Sequence, residues 1–227
     1  MFNGTSMASP HVAGAAALLV GQGITHPDAV KATLQATATP KEDKNLFGAG
    51  ILEAGGAVVR THWAHVAMRL VALFGLFGLV AARIKKKGGT VQTGPAAWFG
   101  GLLAGVGLAP FLPLTGVPAR AGELRFFAEL AMKPLGEWTL LVAPKLHAFL
   151  PLASALPAIA LTALLFGAKR LRPLAGGVAL GSAALLTQLA VSGEAWFALG
   201  PFALRLFAAA NVAVCLWLAR MSLDAKP

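Results

Sequence analysis

The chain has 227 residues, 57% of them hydrophobic and only 12% charged, with a formal net charge of +10. That balance points to an integral membrane protein. The basic residues cluster beside apolar runs rather than on one folded soluble surface, which excludes nucleic-acid binding.

The first informative stretch is Gly4-Thr5-Ser6-Met7-Ala8-Ser9-Pro10-His11-Val12-Ala13-Gly14. Gly4 lets the backbone turn tightly and a substrate approach closely. Thr5 or Ser6 offers a hydroxyl oxygen to cap a following helix. Pro10 falls within the first turn or so, where a missing N–H matters least. Residues 7–20 are apolar nearly all round, which predicts a helix buried in a larger body. A serine at such a helix start sits among free N–H donors at the positive end of the dipole. There an oxyanion formed on an attacked carbonyl is stabilised.

Asn3 to Gly14 resembles the serine motif of the subtilases, the subtilisin-like serine peptidases, and the similarity runs on to about Arg60. Thr25-His26-Pro27-Asp28 starts a second helix through Leu34. Phe47-Gly48-Ala49-Gly50-Ile51-Leu52, followed by Glu53-Ala54, is similar to the family's closing Gly-x-Gly turn and last helix. Glu53 stands where the family more often has Asn or Asp. The resemblance implies an α/β domain that hydrolyses peptide or protein substrates, with Ser6 as the acylating nucleophile and its own N–H as one oxyanion-hole donor. Calcium often accompanies such domains, but no calcium loop is visible here, and no other cofactor is implied. His11 lies five residues along the same helix at about 100° per residue, so it faces away from Ser6 and is expected to pack rather than act as a base.

The family's triad runs Asp, His, Ser along the chain. The Asp segment, the His-Gly-Thr segment and the oxyanion-hole Asn are therefore expected upstream of Ser6. Downstream, Asp28, Asp43 and Asp224 lack the Asp-(Ser/Thr)-Gly pattern, and no histidine is followed by glycine. Without a base, an alkyl hydroxyl is a poor nucleophile at neutral pH. Residues 1–60 thus read as the C-terminal part of a peptidase domain, inactive alone, with residues 36–48 as a surface loop.

From residue 61 the chain reads as membrane. A span needs about 20 mostly apolar residues, and five windows qualify, near 63–82, 95–115, 146–167, 173–192 and 196–218. Arg83, Lys85, Lys86 and Lys87 follow the first, Lys169, Arg170 and Arg172 the third, Arg220 and Lys226 the fifth; Glu194 is the charge after the fourth. The positive-inside rule then places the peptidase segment outside the cytoplasmic membrane and the C-terminus in the cytoplasm. Trp63 and Trp196 fall at outer ends, Trp98 and Trp217 at inner ends, as an aromatic belt places them. Gly101/Gly105 and Gly177/Gly181 are pairs that let helices approach closely, or simply reflect frequent glycine.

Between the second and third windows, Glu123 to Leu130 has apolar residues on one side and charges on the other, as an amphipathic connector would, with Trp138 nearby. Arg69, a third of the way into the first window, is expected to snorkel outward. Arg205, mid-window in the fifth, either snorkels or pairs, with Glu194 as one partner. Cys215 is the only cysteine and is expected to pack. No His/Cys/carboxylate cluster has metal-ligand spacing. The expected fold is mainly α: a helical remnant of an α/β subtilisin-like domain, then about five transmembrane helices. The expected function is membrane-anchored serine endopeptidase. The alternative is a transport, sensing or scaffolding module carrying an inactive remnant, for which Arg205, Gln188 and Asn211 are the sparse polar candidates.

Overall fold

The computed structural model describes residues 5–24, 26–115, 122–138, 153–192 and 200–225. They are mostly helical, and the chain divides into two compact units with the boundary between His65 and Val66.

The first unit holds α1 (Thr5–Gly21), α2 (Pro27–Thr37), α3 (Lys44–Phe47) and the opening turns of α4 (Ala54–Lys86). Pro27 and Asp28 occupy the first turn of α2, where a missing N–H and a negative charge both suit a helix start. The helix runs past Leu34 to Thr37, and the Thr33 and Thr37 hydroxyls turn back onto it, donating to the Ala29 and Thr33 carbonyls at 2.8 and 2.9 Å. Residues 36–48 are not wholly loop. The Asp43 carboxylate accepts from the Asn45 and Leu46 N–H groups at 2.9 and 3.3 Å, which caps the single turn of α3. The following turn uses Gly48 and Gly50 at φ 57° and 127° and returns the chain to an antiparallel bridge between Thr39 and Ile51. A Cβ on Gly50 would stand 2.1 Å from the Thr39 carbonyl oxygen, so only glycine closes this turn.

Leu19, Ile24, Val30 and Ala57 form the small core of this unit, with Ala16, Ala29 and Leu34 around it. Within this unit α1 is covered along one stripe only. Only Ala15 and Leu19 on α1 are buried, while Met7, Val12, Leu18 and Val20 are exposed, Leu18 by 56%. A helix that is apolar all round needs partners all round, and among the described residues of this unit they cover a single stripe.

The second unit is built around α9 (Arg172–Ser192), in which every residue from Ala175 to Leu186 is buried. It packs against α5 (Pro95–Gly105), α8 (Leu156–Leu165) and α10 (Gly200–Leu223), and the core continues to Leu73, Val80 and Ile84 of α4. Two short strands, β1 (Thr90–Val91) and β2 (Asp224–Ala225), pair antiparallel with Thr90 opposite Ala225. They tie the chain leaving α4 to the end of α10. Arg172, at the start of α9, donates from Nη2 to the Met221 carbonyl. The end of α4, the start of α9 and the end of α10 therefore lie together, and with them Arg83, Lys85, Lys86, Arg172 and Arg220.

Among the described residues, three helices are long and apolar enough to cross a membrane: α4, α9 and α10. Of the five expected windows, one is broken in the structure and one lies partly outside the described residues. The window 95–115 breaks because α5 stops at Gly105. Gly107 turns at φ 102° with its N–H on the Leu102 carbonyl, and Ala109 then bonds to Ala131 across to the next element. What remains is 11 residues, roughly 16 Å of helix against a hydrocarbon core of about 30 Å. In the window 146–167, residues 146–152 lie outside the described residues, and α8 is 10 residues long.

Between α5 and α8 come α6 (Leu112–Thr115), a 3-10 turn at Gly122–Leu124, α7 (Arg125–Met132) and a second 3-10 turn at Leu135–Glu137. The amphipathic helix starts at Arg125 rather than Glu123 and carries an i,i+4 pair from Arg125 to Glu129 at 2.8 Å. Trp138 fastens its end by donating to the Leu130 and Lys133 carbonyls at 3.0 and 3.1 Å.

The α5–α9 crossing is made by glycine. A Cβ on Gly177 would stand 1.9 Å from the Ala97 carbonyl oxygen, and one on Gly181 would stand 2.4 Å from that of Gly101. Gly105 in turn lies against the Gly181 backbone. Both sequence pairs thus serve close approach rather than mere composition.

Candidate active site

Ser6 is the second residue of α1, among the first four N–H groups that no helical carbonyl can satisfy. Pro10 lies inside the helix, on its second turn rather than its first. Lacking an N–H, it cannot bond back to the Ser6 carbonyl, so the helical ladder is open at the nucleophile as well as before it. The Ser6 side chain is exposed. Asn3 and Gly4 lie outside the described residues.

His11 donates from Nδ1 to the Met7 carbonyl at 2.8 Å, bonding to its own helix one turn back. That bond engages Nδ1 with the helix backbone, and no hydrogen bond joins His11 to Ser6 among the described residues. His26 stands 3.8 Å from Asp28 at the start of α2, both exposed, a pairing of little energetic weight. His62 sits edge-on to Trp63 at 5.7 Å. His147 lies outside the described residues. Among the described residues, neither a histidine nor a carboxylate is hydrogen-bonded to the Ser6 hydroxyl, and no group of three or more His, Cys, Asp or Glu could hold a metal. Among the described residues, the arrangement is an exposed hydroxyl near the start of α1 with no base hydrogen-bonded to it.

The comparison with protein families falls on the segment that carries Ser6. Residues 1–50 match the Subtilase family. No curated protein and no solved structure matches the chain. The matched segment covers α1, α2, α3 and the Gly48–Gly50 turn, and it stops before α4. At the family level it supports a serine peptidase relationship.

The second unit holds a polar cluster that reading the residues singly does not assemble. Arg69 donates from Nε to Gln188 Oε1 and from Nη2 to Glu137 Oε1, each at 2.5 Å. Its side chain is 7% exposed and that of Glu137 28%. Arg69 does not snorkel: it turns inward, where a carboxylate and an amide replace water. The signal for this was one cation and one amide in two apolar runs, with a carboxylate in the loop between them. Asn211 is also used locally, accepting from the Ala155 N–H at 2.9 Å ahead of α8 and donating to the Phe207 carbonyl. Arg205 is exposed, and Glu194 lies outside the described residues.

Proposed function

We propose that this chain is part of a membrane-anchored subtilisin-like serine endopeptidase, with Ser6 as the acylating nucleophile. Peptide-bond hydrolysis would take place on the outer side of the cytoplasmic membrane. The observation that carries this reading is the subtilase segment itself, with Ser6 at a helix start where unpaired N–H groups face a developing oxyanion. The Asp, the His and the oxyanion-hole Asn of the triad would come from polypeptide beyond these 227 residues. The exposed apolar faces of α1 support that, because a surface of Met7, Val12, Leu18 and Val20 calls for a covering partner.

Membrane anchoring rests on the outer helices of the second unit. The apolar window of α9 is 72% buried inside the protein, whereas those of α4 and α10 are 22% and 28% buried. Their outward residues include Val71, Phe74, Leu79, Phe202 and Leu206, side chains suited to acyl chains and costly in water. With α4, α9 and α10 spanning, one end carries Arg83, Lys85, Lys86, Arg172 and Arg220. The positive-inside rule makes that end cytoplasmic and leaves the subtilase segment outside.

Two experiments test this. The 227-residue chain expressed in membranes is expected not to label with a fluorophosphonate probe. The same chain extended by the reading frame upstream of the Met1 codon is expected to label, and Ser6→Ala to abolish it. Labelling of the short chain would sink the claim that a base is missing; a silent extended chain would sink the peptidase reading. For topology, Lys86→Cys is expected to react with a membrane-impermeant maleimide only after the cells are opened. Cys215 is buried and should contribute no background. Reaction in intact cells would reverse the orientation.

A further inference from the structure

At the end of the second unit where α10 finishes lies an open cleft of about 290 Å³, lined by Arg172, Trp217, Arg220, Met221 and Asp224. Arg172 is held in place on two sides. Its Nη2 donates to the Met221 carbonyl, and its guanidinium stacks 4.3 Å from the centre of the Phe166 ring. Its Nε is nevertheless buried with no hydrogen-bond partner among the described residues, and so is Oδ1 of Asp224. Both atoms are closed off from solvent, and a Cβ on Gly89 would stand 2.3 Å from Asp224 Oδ1, so neither faces the open cleft. The cleft itself is lined by two guanidinium-bearing side chains and one carboxylate, which suits a ligand that both accepts and donates hydrogen bonds.

Two guanidinium groups favour phosphate, which they bind through paired N–H donors. The single carboxylate disfavours a bare anion and favours a group that couples phosphate to a donor. The cleft has room for a headgroup but not for a whole lipid. Beside it the apolar surface of α10 continues outward through Trp217, which is 59% exposed, and Val214. An indole at this level suits a membrane–water interface, and basic pockets between helix ends on the cytoplasmic side suit lipid headgroups.

We propose that this cleft binds the phosphodiester headgroup of a phospholipid carrying a hydrogen-bond donor, with phosphatidylethanolamine the chemistry that fits best. Phosphate lies on Arg172 and Arg220, the ammonium toward Asp224, and the acyl chains along α10. The inference rests on the membrane reading above.

The test uses the full chain purified in neutral detergent, melted in mixed micelles with phosphatidylethanolamine or phosphatidylcholine, and separately with inorganic phosphate. Phosphatidylcholine keeps the phosphate and removes the donor. Phosphatidylethanolamine is expected to raise the melting midpoint by about 4 °C over phosphatidylcholine. Arg220→Gln and Asp224→Asn are each expected to remove that difference. Arg172 is left intact because it also holds Met221. Equal shifts with both lipids, or an undiminished preference in Arg220→Gln, would overturn the site. The same Arg220-dependent shift from inorganic phosphate alone would show an anion site without a lipid. Alkaline carbonate extraction separates the two readings: release of the chain from membranes defeats both, whereas a retained chain with no lipid preference defeats only the headgroup site.

Discussion

Replacing Glu137 by alanine is expected to destabilise the second unit by about 3–5 kcal/mol, the usual consequence of stranding one partner of a buried pair. Arg69 is 7% exposed, so without the carboxylate its guanidinium would be left in the interior away from water. Gln188 satisfies only its Nε, and Nη2 would lose its acceptor. Because Glu137 lies in the 3-10 turn after α7, the loss should also release the segment 122–138 from α4. The check is equilibrium unfolding in mixed micelles, combined with limited proteolysis between Arg125 and Trp138. The triple replacement Arg69→Met, Glu137→Leu, Gln188→Leu is the decisive companion. An apolar set of similar size removes the desolvation cost along with the attraction, so it should come within about 1–2 kcal/mol of the parent. A triple variant as unstable as Glu137→Ala would show that the polar atoms themselves are required.

Gly177→Val is expected to cost about 3 kcal/mol or more by forcing α5 and α9 apart. The first added carbon would already stand 1.9 Å from the Ala97 carbonyl oxygen and 2.7 Å from its carbon. Both are backbone atoms of a helix, so no side-chain rotation relieves the overlap. The variant should melt earlier and lose protection of α5 in hydrogen exchange. Gly78→Ala on α4 provides the contrast. A Cβ there meets nothing within 4 Å, so the substitution should be neutral or slightly stabilising through helix propensity alone. Equal effects at Gly177 and Gly78 would mean that the crossing is not made by glycine.

The two glycine pairs show how much was legible. Their spacing marks a face on which another helix can come close, yet the same spacing arises by chance in a glycine-rich chain. Only the opposing backbone decides, and Ala97 and Gly101 supply it. The window 95–115 shows the reverse case. Its hydropathy is right for a span, but hydropathy counts residues without regard to whether the helix continues through them. Gly107 takes a left-handed turn, and Ala109 finds a hydrogen bond on Ala131. Arg69 was misjudged for a related reason. Snorkelling is the sound expectation for a cation with no known partner, and its partners lie 68 and 119 positions away in the chain.

Some features needed no tertiary information. The Ser6 segment, the Pro27 helix start, the Gly48–Gly50 turn and the apolar runs of α4, α9 and α10 are each encoded within a few adjacent residues. Backbone stereochemistry, capping and hydropathy act over that range, so these residues alone determined the subtilase resemblance and the helical character. The tertiary structure decided which apolar runs are long enough to cross a bilayer, which glycines carry a crossing, where Arg69 points, and how little of α1 is covered within its unit. Each is a relation between distant residues. Close packing and the pairing of buried charge depend on what stands opposite, and a linear sequence does not state that.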